Sequence, residues 1–269
     1  MRSAFLSIFL CAATIGQREK WETPYPAHKI AGNLHYIGTA DLACFLIATR
    51  EGNIVINTGL AGSVAQMREG ARSLGFQLED TKILLIMQAH FDHTMGLAEI
   101  QKLSGAKMFA TEADAPVLEA GGDNSFGTSN RFPAIHVDRK LKHGDKVKLG
   151  DTELSVILTP GHSKGSVTYS MTVVDRGGRR TVLIANMPTV VATLIDNMSY
   201  PQIVEDMEQT FKILKTLKPD IWVAAHASQY DMEAKHKAGS FVDPEGYGKA
   251  IAKWENLFRE RLAQERARK

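Results

Sequence analysis

The chain is poor in cysteine, and this excludes one way of stabilising a fold. Cys11 and Cys44 are the only cysteines among its 269 residues, and Cys11 lies in an N-terminal apolar stretch that we expect to be removed. Cys44 then has no partner, so a disulfide framework of the kind that stabilises small secreted domains is excluded. Its place in the apolar run 42–48 indicates a buried structural thiol rather than a metal ligand.

An excess of charge of one sign is also missing. The 32 Lys and Arg residues nearly balance the 30 Asp and Glu residues, for a formal net charge of +2, and the two signs are interspersed. Such a chain has neither a basic stripe for nucleic acid nor a polybasic segment for an anionic membrane surface. We therefore expect a small-molecule partner and no nucleic acid.

Long apolar runs are absent beyond the N-terminus, where a short one has a specific meaning. No later segment reaches roughly 18 uninterrupted apolar residues, so no membrane span is expected. Residues 1–16 combine Arg2, an apolar stretch over 3–13, and small residues at Thr14 and Gly16. This arrangement predicts a secretory signal peptide over 1–16. We expect the mature chain to be periplasmic or secreted.

The apolar content that remains is sufficient for one sizeable core. Hydrophobic residues make up 44% of the chain, and no repeat, low-complexity tract or Pro-rich linker divides residues 17–269, so a single domain is expected. Strand and helix patterns occur in two similar successive halves, each a group of strands followed by helices. This order predicts an α/β protein in which two sheets pack face to face between helical layers, an αββα sandwich.

Local patterns predict the individual elements. Apolar residues recur at helical spacing over 63–74, before Gly75, and again over 203–217, before Pro219. Turn residues between alternating runs predict hairpins over 44–57 and 166–186. The remaining predicted elements are strands over 82–87, 107–111, 147–159 and 221–225, and helices over 97–103 and from about 246 onward.

The most informative segment is Gln88-Ala89-His90-Phe91-Asp92-His93, which directly follows the apolar strand 83–87. Three strong metal-ligand side chains, His90, Asp92 and His93, thus lie within four positions at a strand end. Imidazole and carboxylate suit Zn²⁺, and a loop leaving a buried strand can turn side chains toward two neighbouring metal positions. We expect His90 and Asp92 to point alike and His93 to point elsewhere. A polar loop with two chance histidines is the alternative.

Two more histidines follow strands in the same way. His162 comes after the strand over 154–158, and His226 comes after the strand over 221–225. Strand ends on one edge of a sheet converge, so these side chains can share a cleft with the hexapeptide. A zinc-storage or binding module would instead use closed sites with four ligands from the chain, whereas a catalytic site keeps an open position. The other five histidines lack this position and are expected to be exposed or structural.

Two serine motifs raise the alternative of nucleophilic catalysis by serine. Gly161-His162-Ser163-Lys164-Gly165 fits the nucleophile elbow G-x-S-x-G, and Ser104-Gly105-Ala106-Lys107 fits the S-x-x-K of serine β-lactamases. An elbow needs a strand that leads into a helix, whereas residues 166–174 have the pattern of another strand. The S-x-x-K match lacks its S-D-N and K-T-G companions. We expect neither serine to be catalytic.

These segments together resemble the metallo-β-lactamase superfamily, and specifically the class B β-lactamases of the third subclass. The resemblance covers nearly the whole mature chain, in the segments that begin at Trp21 and include 37–42, 88–93, 118–122, 161–166, 200–217 and 225–228. It implies zinc-dependent hydrolysis of the β-lactam amide of penicillins, cephalosporins and carbapenems by metal-bound hydroxide. A lactonase or glyoxalase-type thioesterase of the same fold is the alternative, and a monomer is the expected state.

The resemblance also implies a set of metal ligands. Gln88, His90 and His162 would surround a first zinc, and Asp92, His93 and His226 a second. Gln88 departs from the usual His, as in a minority branch of the subclass, and a neutral amide oxygen is a much weaker zinc ligand than imidazole. We therefore expect the first site to bind zinc weakly and the second to carry most of it.

Further roles follow from the same resemblance. Asp92 is expected to position the hydroxide, and Gln88 to donate a hydrogen bond to the developing oxyanion. Thr189 aligns with a family hydroxyl that contacts the substrate carboxylate, and Lys164 adds positive charge there. Asn57 replaces an Asp common in this fold and is expected to support the loop. Asn186 replaces the metal-bridging Asp of glyoxalase- and lactonase-type relatives, which favours a β-lactamase.

Overall fold

The structure, a computed structural model, describes residues 18–124 and 130–268. The signal peptide predicted over 1–16 lies outside these residues. Residues 18–22 are helical, and the α-helices that follow are α1 (Ser63–Ser73), α2 (Phe91–Thr94), α3 (Leu97–Ser104), α4 (Ala115–Glu119), α5 (Ile203–Thr216), α6 (Met232–Ala238) and α7 (Pro244–Arg266). None of the helices in the described ranges is long and apolar enough to cross a membrane.

The strands form two large sheets and one small pair. In chain order they are β1 (His28–Ala31), β2 (Leu34–Tyr36), β3 (Phe45–Thr49), β4 (Gly52–Ile56), β5 (Thr81–Leu85), β6 (Lys107–Thr111), β7 (Gly122–Asp123), β8 (Asn130–Arg131), β9 (Arg139–Leu141), β10 (Lys146–Leu149), β11 (Thr152–Leu158), β12 (Val167–Asp175), β13 (Gly178–Ala185) and β14 (Ile221–Ala224). The first sheet has the order β1-β2-β3-β4-β5-β6-β9, and the second β10-β11-β12-β13-β14.

Alternation along the strands of the first sheet produces the layers. Phe45 and Ile47 of β3 are buried in the core that the two sheets share, whereas Leu46 between them is buried in a second core with α1. Successive side chains of a strand point to opposite faces, so one sheet can contact a sheet on one side and helices on the other. Helices α5 and α7 pack on the second sheet. The predicted αββα sandwich is confirmed.

Most predicted elements are confirmed within two or three residues, and two boundaries differ for physical reasons. The strand predicted to reach Met87 ends at Leu85, because the Met87 amide donates to the Asn57 Oδ1 atom at 3.0 Å instead of to a neighbouring strand. In the hairpin predicted over 166–186, Arg176-Gly177-Gly178-Arg179 is the expected turn, but the observed turn is shorter, since Asp175 pairs with Gly178. Arg176 and Gly177 both have positive φ, at 48° and 79°, which is the two-residue turn that matches strand twist.

Candidate metal centre

The predicted site residues converge because of how the strands run. In the second sheet β11, β13 and β14 point the same way, since β12 is antiparallel to β11 and to β13, and β14 is parallel to β13. His162, Thr189 and His226 therefore follow strands that end at one edge. The end of β5 joins this edge, because the Val167 amide donates to the Met87 carbonyl at 2.9 Å.

The hexapeptide divides its ligands between two positions. His90 has extended backbone angles and caps the short helix α2, which contains Asp92 and His93. Asp92 Oδ2 lies 3.3 Å from His93 Nε2 and 3.5 Å from His226 Nε2, whereas His90 Nδ1 lies 3.1 Å from His162 Nε2. The prediction that His90 and Asp92 point alike is wrong. The helical turn between them separates their directions, and Asp92 joins His93.

Asp92, His93 and His226 have the geometry of a metal site. One donor atom from each lies within 4.8 Å of the other two. The His93 ring is fully buried, and neither of its nitrogens has a hydrogen-bond partner among the described residues. A buried polar atom without a partner costs about 1–3 kcal/mol. A cation coordinated by one of these nitrogens would remove that cost, so the donor set fits a metal ion such as zinc.

Asp41 completes this group and was not predicted. Its Oδ2 atom accepts from His226 Nδ1 at 3.2 Å and from Trp21 Nε1 at 3.1 Å, and its Oδ1 atom accepts from the Ser228 amide at 3.0 Å. Because Asp41 accepts the hydrogen on His226 Nδ1, the lone pair of His226 Nε2 faces Asp92. Carboxylates orient metal-binding histidines in the same way. Sequence reasoning had no local signal for this, because 185 residues separate the two side chains.

The second histidine pair has an orienting partner of its own. His162 Nδ1 lies 2.9 Å from the Thr189 carbonyl oxygen and 2.7 Å from its hydroxyl. A carbonyl can only accept, so Nδ1 carries the hydrogen and the Nε2 lone pair faces His90. The His90 and His162 ring centres are 4.8 Å apart. This pair therefore offers two imidazole nitrogens to a second metal position.

Gln88 lies beside this pair with its amide held by Asn186. The Asn186 Nδ2 atom donates to the Met87 carbonyl at 2.8 Å and to Gln88 Oε1 at 2.7 Å. The carbonyl fixes Nδ2 as the donor end of Asn186, so the Gln88 atom that faces it must be the oxygen. The one good metal-ligand atom of Gln88 is thus already engaged in a hydrogen bond.

The protonation of these side chains favours metal binding. Burial and the neighbouring His162 hold the pKa of His90 well below its usual range, and burial lowers the pKa of His93 and of His162 to about 4. All three are neutral at pH 7 and keep a lone pair for a metal. Burial alone would lower the pKa of His226, but its hydrogen bond to Asp41 and the charges of Asp92 and Asp41 raise it.

Two asparagines hold the loop. Asn57, at φ 62°, donates to the Ala43 carbonyl at 3.2 Å and accepts from the Met87 amide at 3.0 Å, which is the supporting role predicted for it. Asn130, not predicted, accepts from the Phe91 amide and donates to the Ala89 carbonyl, both at 2.9 Å. The backbone around His90 is thereby fixed from two sides.

The serine motifs do not form sites. The loop that contains Ser163 leads into strand β12 instead of a helix, and the Ser163 hydroxyl contacts Ser166 Oγ at 2.9 Å. Ser104 closes α3 and donates to the Ile100 carbonyl at 2.7 Å. Lys164 lies with its Nζ atom 5.6 Å from the centre of the Tyr200 ring.

One open cavity of about 1300 Å³ is lined by five of the six predicted metal-ligand residues, namely Gln88, His90, Asp92, His162 and His226. Thr189 also lines it, whereas His93 and Lys164 do not. The same cavity extends to the segment 188–199 and to helix α7. A ligand bound at the histidines can therefore contact both of these.

Asp114 is a buried carboxylic acid between the two loops that contain the metal-ligand residues. Burial raises its pKa to about 7, although hydrogen bonds from the Ala89 and Gly165 backbone lower it in part. Gly165 allows this approach, since a Cβ atom there would lie 2.1 Å from the Asp114 Cγ atom. Nothing in the local sequence indicated that this acid is buried.

We expect the stability contribution of Asp114 to fall as the pH rises. The folded chain holds a proton on this group up to about pH 7, whereas the unfolded chain releases it near pH 4, so stability is lost through that interval. At 1.36 kcal/mol per pKa unit the loss is about 4 kcal/mol. Asp114→Asn should therefore gain stability relative to wild type between pH 4.5 and 8, measured by urea unfolding of chelator-treated protein.

A matched control separates this effect from general charge removal. Asp151 is an exposed turn residue, and Asp151→Asn should show no such trend. A constant difference between Asp114→Asn and wild type across this pH range would contradict the prediction.

Comparison with solved structures gives high similarity over most of the chain. The class B3 di-zinc metallo-β-lactamase LRA-12 from an Alaskan soil metagenome is 45% identical, with a TM-score of 0.86 over 90% of this chain and 96% of that one. The metallo-β-lactamase GOB-18 from Elizabethkingia meningoseptica is 38% identical, with a TM-score of 0.87 over 91% and 95%. The subclass B3 enzyme BJP-1 of Bradyrhizobium japonicum is 35% identical, with a TM-score of 0.88 over 93% and 98%.

Curated relatives with other activities match less of the chain. A hydroxyacylglutathione hydrolase from Rhodospirillum rubrum is 33% identical over 43% of this chain, and the acyl-coenzyme A thioesterase MBLAC2 from Bos taurus is 27% identical over 59%. The matches span 36% and 62% of those proteins, less than two thirds of either.

The family profile of the metallo-β-lactamase superfamily matches residues 42–175, which contain the hexapeptide and His162. The fold, the convergent histidines and the near full-length similarity to class B3 structures agree with that match. The chain therefore belongs to the metallo-β-lactamase superfamily of hydrolases, and its structural neighbours are class B3 metallo-β-lactamases.

Proposed function

We propose that this hydrolase is a zinc-dependent β-lactamase acting on the amide bond of penicillins, cephalosporins and carbapenems. The group of Asp92, His93 and His226, of which Asp92 and His226 line an open cavity, carries the proposal. Similarity to three β-lactamases at 35–45% identity supports it. Zinc, when bound, supplies a Lewis acid and lowers the pKa of a coordinated water toward neutrality.

The residues at the two positions have different tasks. Asp92, His93 and His226 would hold the main zinc, and His90 and His162, together with Gln88, would form the weaker position. Asp92 lies within 3.5 Å of both of its histidine partners, so one carboxylate oxygen can bind the metal while the other orients the attacking water. Asp41 keeps His226 in the correct tautomer for this arrangement.

Gln88 acts in this proposal as a hydrogen-bond donor more than as a ligand. Its oxygen is bound by Asn186 at 2.7 Å, which leaves the Nε2 hydrogens available at the cavity wall. A donor placed there stabilises the oxyanion that develops as water adds to the β-lactam carbonyl. Removing one such donor typically costs 10²- to 10³-fold in turnover.

Thr189 and Lys164 differ in how well they can reach a substrate. The Thr189 hydroxyl lies 2.7 Å from the His162 Nδ1 atom, which carries the hydrogen, so the hydroxyl hydrogen remains free to donate to a substrate carboxylate. Thr189 lines the cavity, whereas Lys164 does not and faces Tyr200. We propose a direct contact for Thr189 and only a longer-range charge effect for Lys164.

The alternative is a thioesterase of the glyoxalase or acyl-coenzyme A type, since curated relatives have these activities. One observation favours the β-lactamase. Asn186 occupies the place of the metal-bridging Asp expected in glyoxalase-type relatives, and its amide is turned to the Met87 carbonyl and to Gln88. A neutral donor in this orientation offers no anionic bridge between two metals.

Export to the periplasm or beyond, a single domain over 17–269 and a monomeric state remain proposals that rest on the sequence alone. Cleavage at Gly16 can be tested by N-terminal sequencing of the exported protein. Sedimentation of that mature protein tests the monomer.

The proposed reaction is tested by chelation and restoration. We expect purified mature protein to hydrolyse benzylpenicillin, to lose this activity on dialysis against a chelator, and to regain it with zinc. Recovery should follow zinc binding measured by calorimetry. Turnover that persists without metal would contradict the proposal, as would a folded, zinc-loaded protein that hydrolyses thioesters but no β-lactam.

A further inference from the structure

Part of the cavity lining belongs neither to the proposed metal ligands nor to Thr189. It is formed by helix α7 and by residues of the segment 190–199, and we call it the second end of the cavity. The volume of the whole cavity, about 1300 Å³, exceeds the roughly 300–1,000 Å³ of usual ligand pockets. A substrate whose reacting amide lies at the histidines therefore leaves this end available to a more distant part of the molecule.

One face of α7 is directed at the cavity. The residues of this helix that line it, apart from the buried Phe258, are Ala250, Lys253, Trp254, Leu257 and Arg261. Their spacing of three and four places them on one stripe. The adjacent stripe, with Tyr247, Ile251, Phe258 and Leu262, is buried in the core. The buried residues hold the helix in place. Trp254 and Leu257, which is 43% exposed, are therefore held at fixed positions on the cavity wall.

The facing wall is attached to the same helix. Glu265 of α7 is 7% exposed, and its Oε2 atom accepts from the Leu194 amide at 2.8 Å and from the Ile195 amide at 3.0 Å. These hydrogen bonds to a charged acceptor are of the stronger kind. Helix and segment therefore form one preformed wall, and binding against it requires little ordering.

Two cationic side chains of α7, Lys253 and Arg261, line this end. Lys253 has no carboxylate partner among the described residues, and its Nζ atom lies 5.2 Å from the centre of the Trp254 ring. Arg261 is paired through Nε with Glu265, and its Nη atoms have no partner in the described part of the chain. A ring beside two cationic groups suits a ligand that has both an aromatic surface and a negative charge.

We propose that this α7 subsite, defined by Lys253, Trp254, Leu257 and Arg261, binds the substrate side chain remote from the reacting amide. It favours side chains that combine an aromatic ring with an anionic group. The inference rests on the proposed β-lactamase function and specifies its substrate class. None of the four residues is among the proposed metal ligands or the residues assigned to the reacting amide, so the subsite acts on KM more than on kcat.

Three penicillins provide a matched test. Benzylpenicillin, carbenicillin and ampicillin share the nucleus and the phenyl ring, and differ at one carbon that bears hydrogen, carboxylate or ammonium. We expect wild-type KM to be lowest for carbenicillin and highest for ampicillin. Lys253→Gln should raise the KM for carbenicillin about 3- to 10-fold, the range of a single charge contact of up to about 1.4 kcal/mol, with little change for benzylpenicillin. Trp254→Ala should raise the KM for all three.

The matched control is Lys249, a lysine one turn before Lys253 on the same helix that does not line the cavity. Lys249 pairs with Glu245 on the exposed face, and Lys249→Gln should leave the three KM values in their wild-type order. Equal KM values for the three penicillins in wild type, or the same effect of Lys249→Gln and Lys253→Gln, would overturn the subsite.

Failure of the subsite and failure of the proposed function give different results. If benzylpenicillin is hydrolysed without charge selectivity, the function stands and the subsite is wrong. If none of the three is hydrolysed by the zinc-loaded protein, the function is wrong. Calorimetric binding of carbenicillin then tests the subsite directly, and binding that Lys253→Gln does not weaken would overturn it as well.

Discussion

We expect the proposed β-lactam hydrolysis to fall by roughly 10³-fold or more when Asp92 is replaced by Asn. Asn keeps the size of the side chain but removes the negative charge that Asp92 places within 3.5 Å of His93 and His226. Losing that charge weakens both metal binding and the orientation of the water. The metal supplies several kcal/mol of transition-state stabilisation, and each 1.36 kcal/mol is a factor of ten in rate. The measurements are kcat/KM for benzylpenicillin and zinc content per chain.

Two controls accompany this substitution. Asp151→Asn removes the same charge from an exposed turn and should retain wild-type activity. In the presence of a chelator, Asp92→Asn and wild type should unfold at similar temperatures, because neither protein then has bound metal that could stabilise it. An active, zinc-containing Asp92→Asn enzyme would show that the metal group has been misidentified.

The second large effect is expected for Gln88→His, which should bind a second zinc ion tightly. The wild-type position offers two imidazoles and an amide whose oxygen is already bonded to Asn186. A third imidazole should raise the zinc affinity of this position by at least 10- to 100-fold, the range that outer-shell changes alone can produce. Calorimetric titration should then change from one tight zinc per chain to two.

Gln88→Leu is the matched control, because it fills similar space without any ligand atom. We expect it to bind one tight zinc, as wild type does, and to lose turnover through the missing oxyanion donor. Two equally tight zincs in wild type would contradict the weak first position. A Gln88→His protein with a single zinc would contradict the assignment of Gln88 to the metal wall.

The superfamily contains hydrolases for lactams and thioesters, so a shared metal group does not by itself select a substrate. Selection must come from the walls around the metal. In this chain two parts form the walls: the segment 188–199, which includes Thr189, and helix α7. The α7 subsite is therefore where a difference in substrate range from the structural neighbours is expected.

Much of the fold was readable from sequence because its signals are local. Apolar alternation predicts the strands, helical spacing predicts α1 and α5, and both depend only on neighbouring residues. The ligand types were also readable, since His90, Asp92, His93, His162 and His226 all follow strand patterns. Local patterns alone did not give their grouping, which followed only from the family resemblance, because the short helix α2 turns Asp92 away from His90 and toward His93.

The sequence by itself determined the α/β class, the order of the elements and which residues are candidate metal ligands, because periodicity and side-chain chemistry are properties of the local chain. The tertiary structure decided which side chains meet across long separations. It brought Asp41 into hydrogen-bond contact with His226, and Asn186 with Gln88. It also buried Asp114 against the backbone of Ala89 and Gly165, and bonded Glu265 to the amides of residues 194–195. Each contact joins elements far apart in the chain, and only the packing of the two sheets and the outer helices fixes such distances.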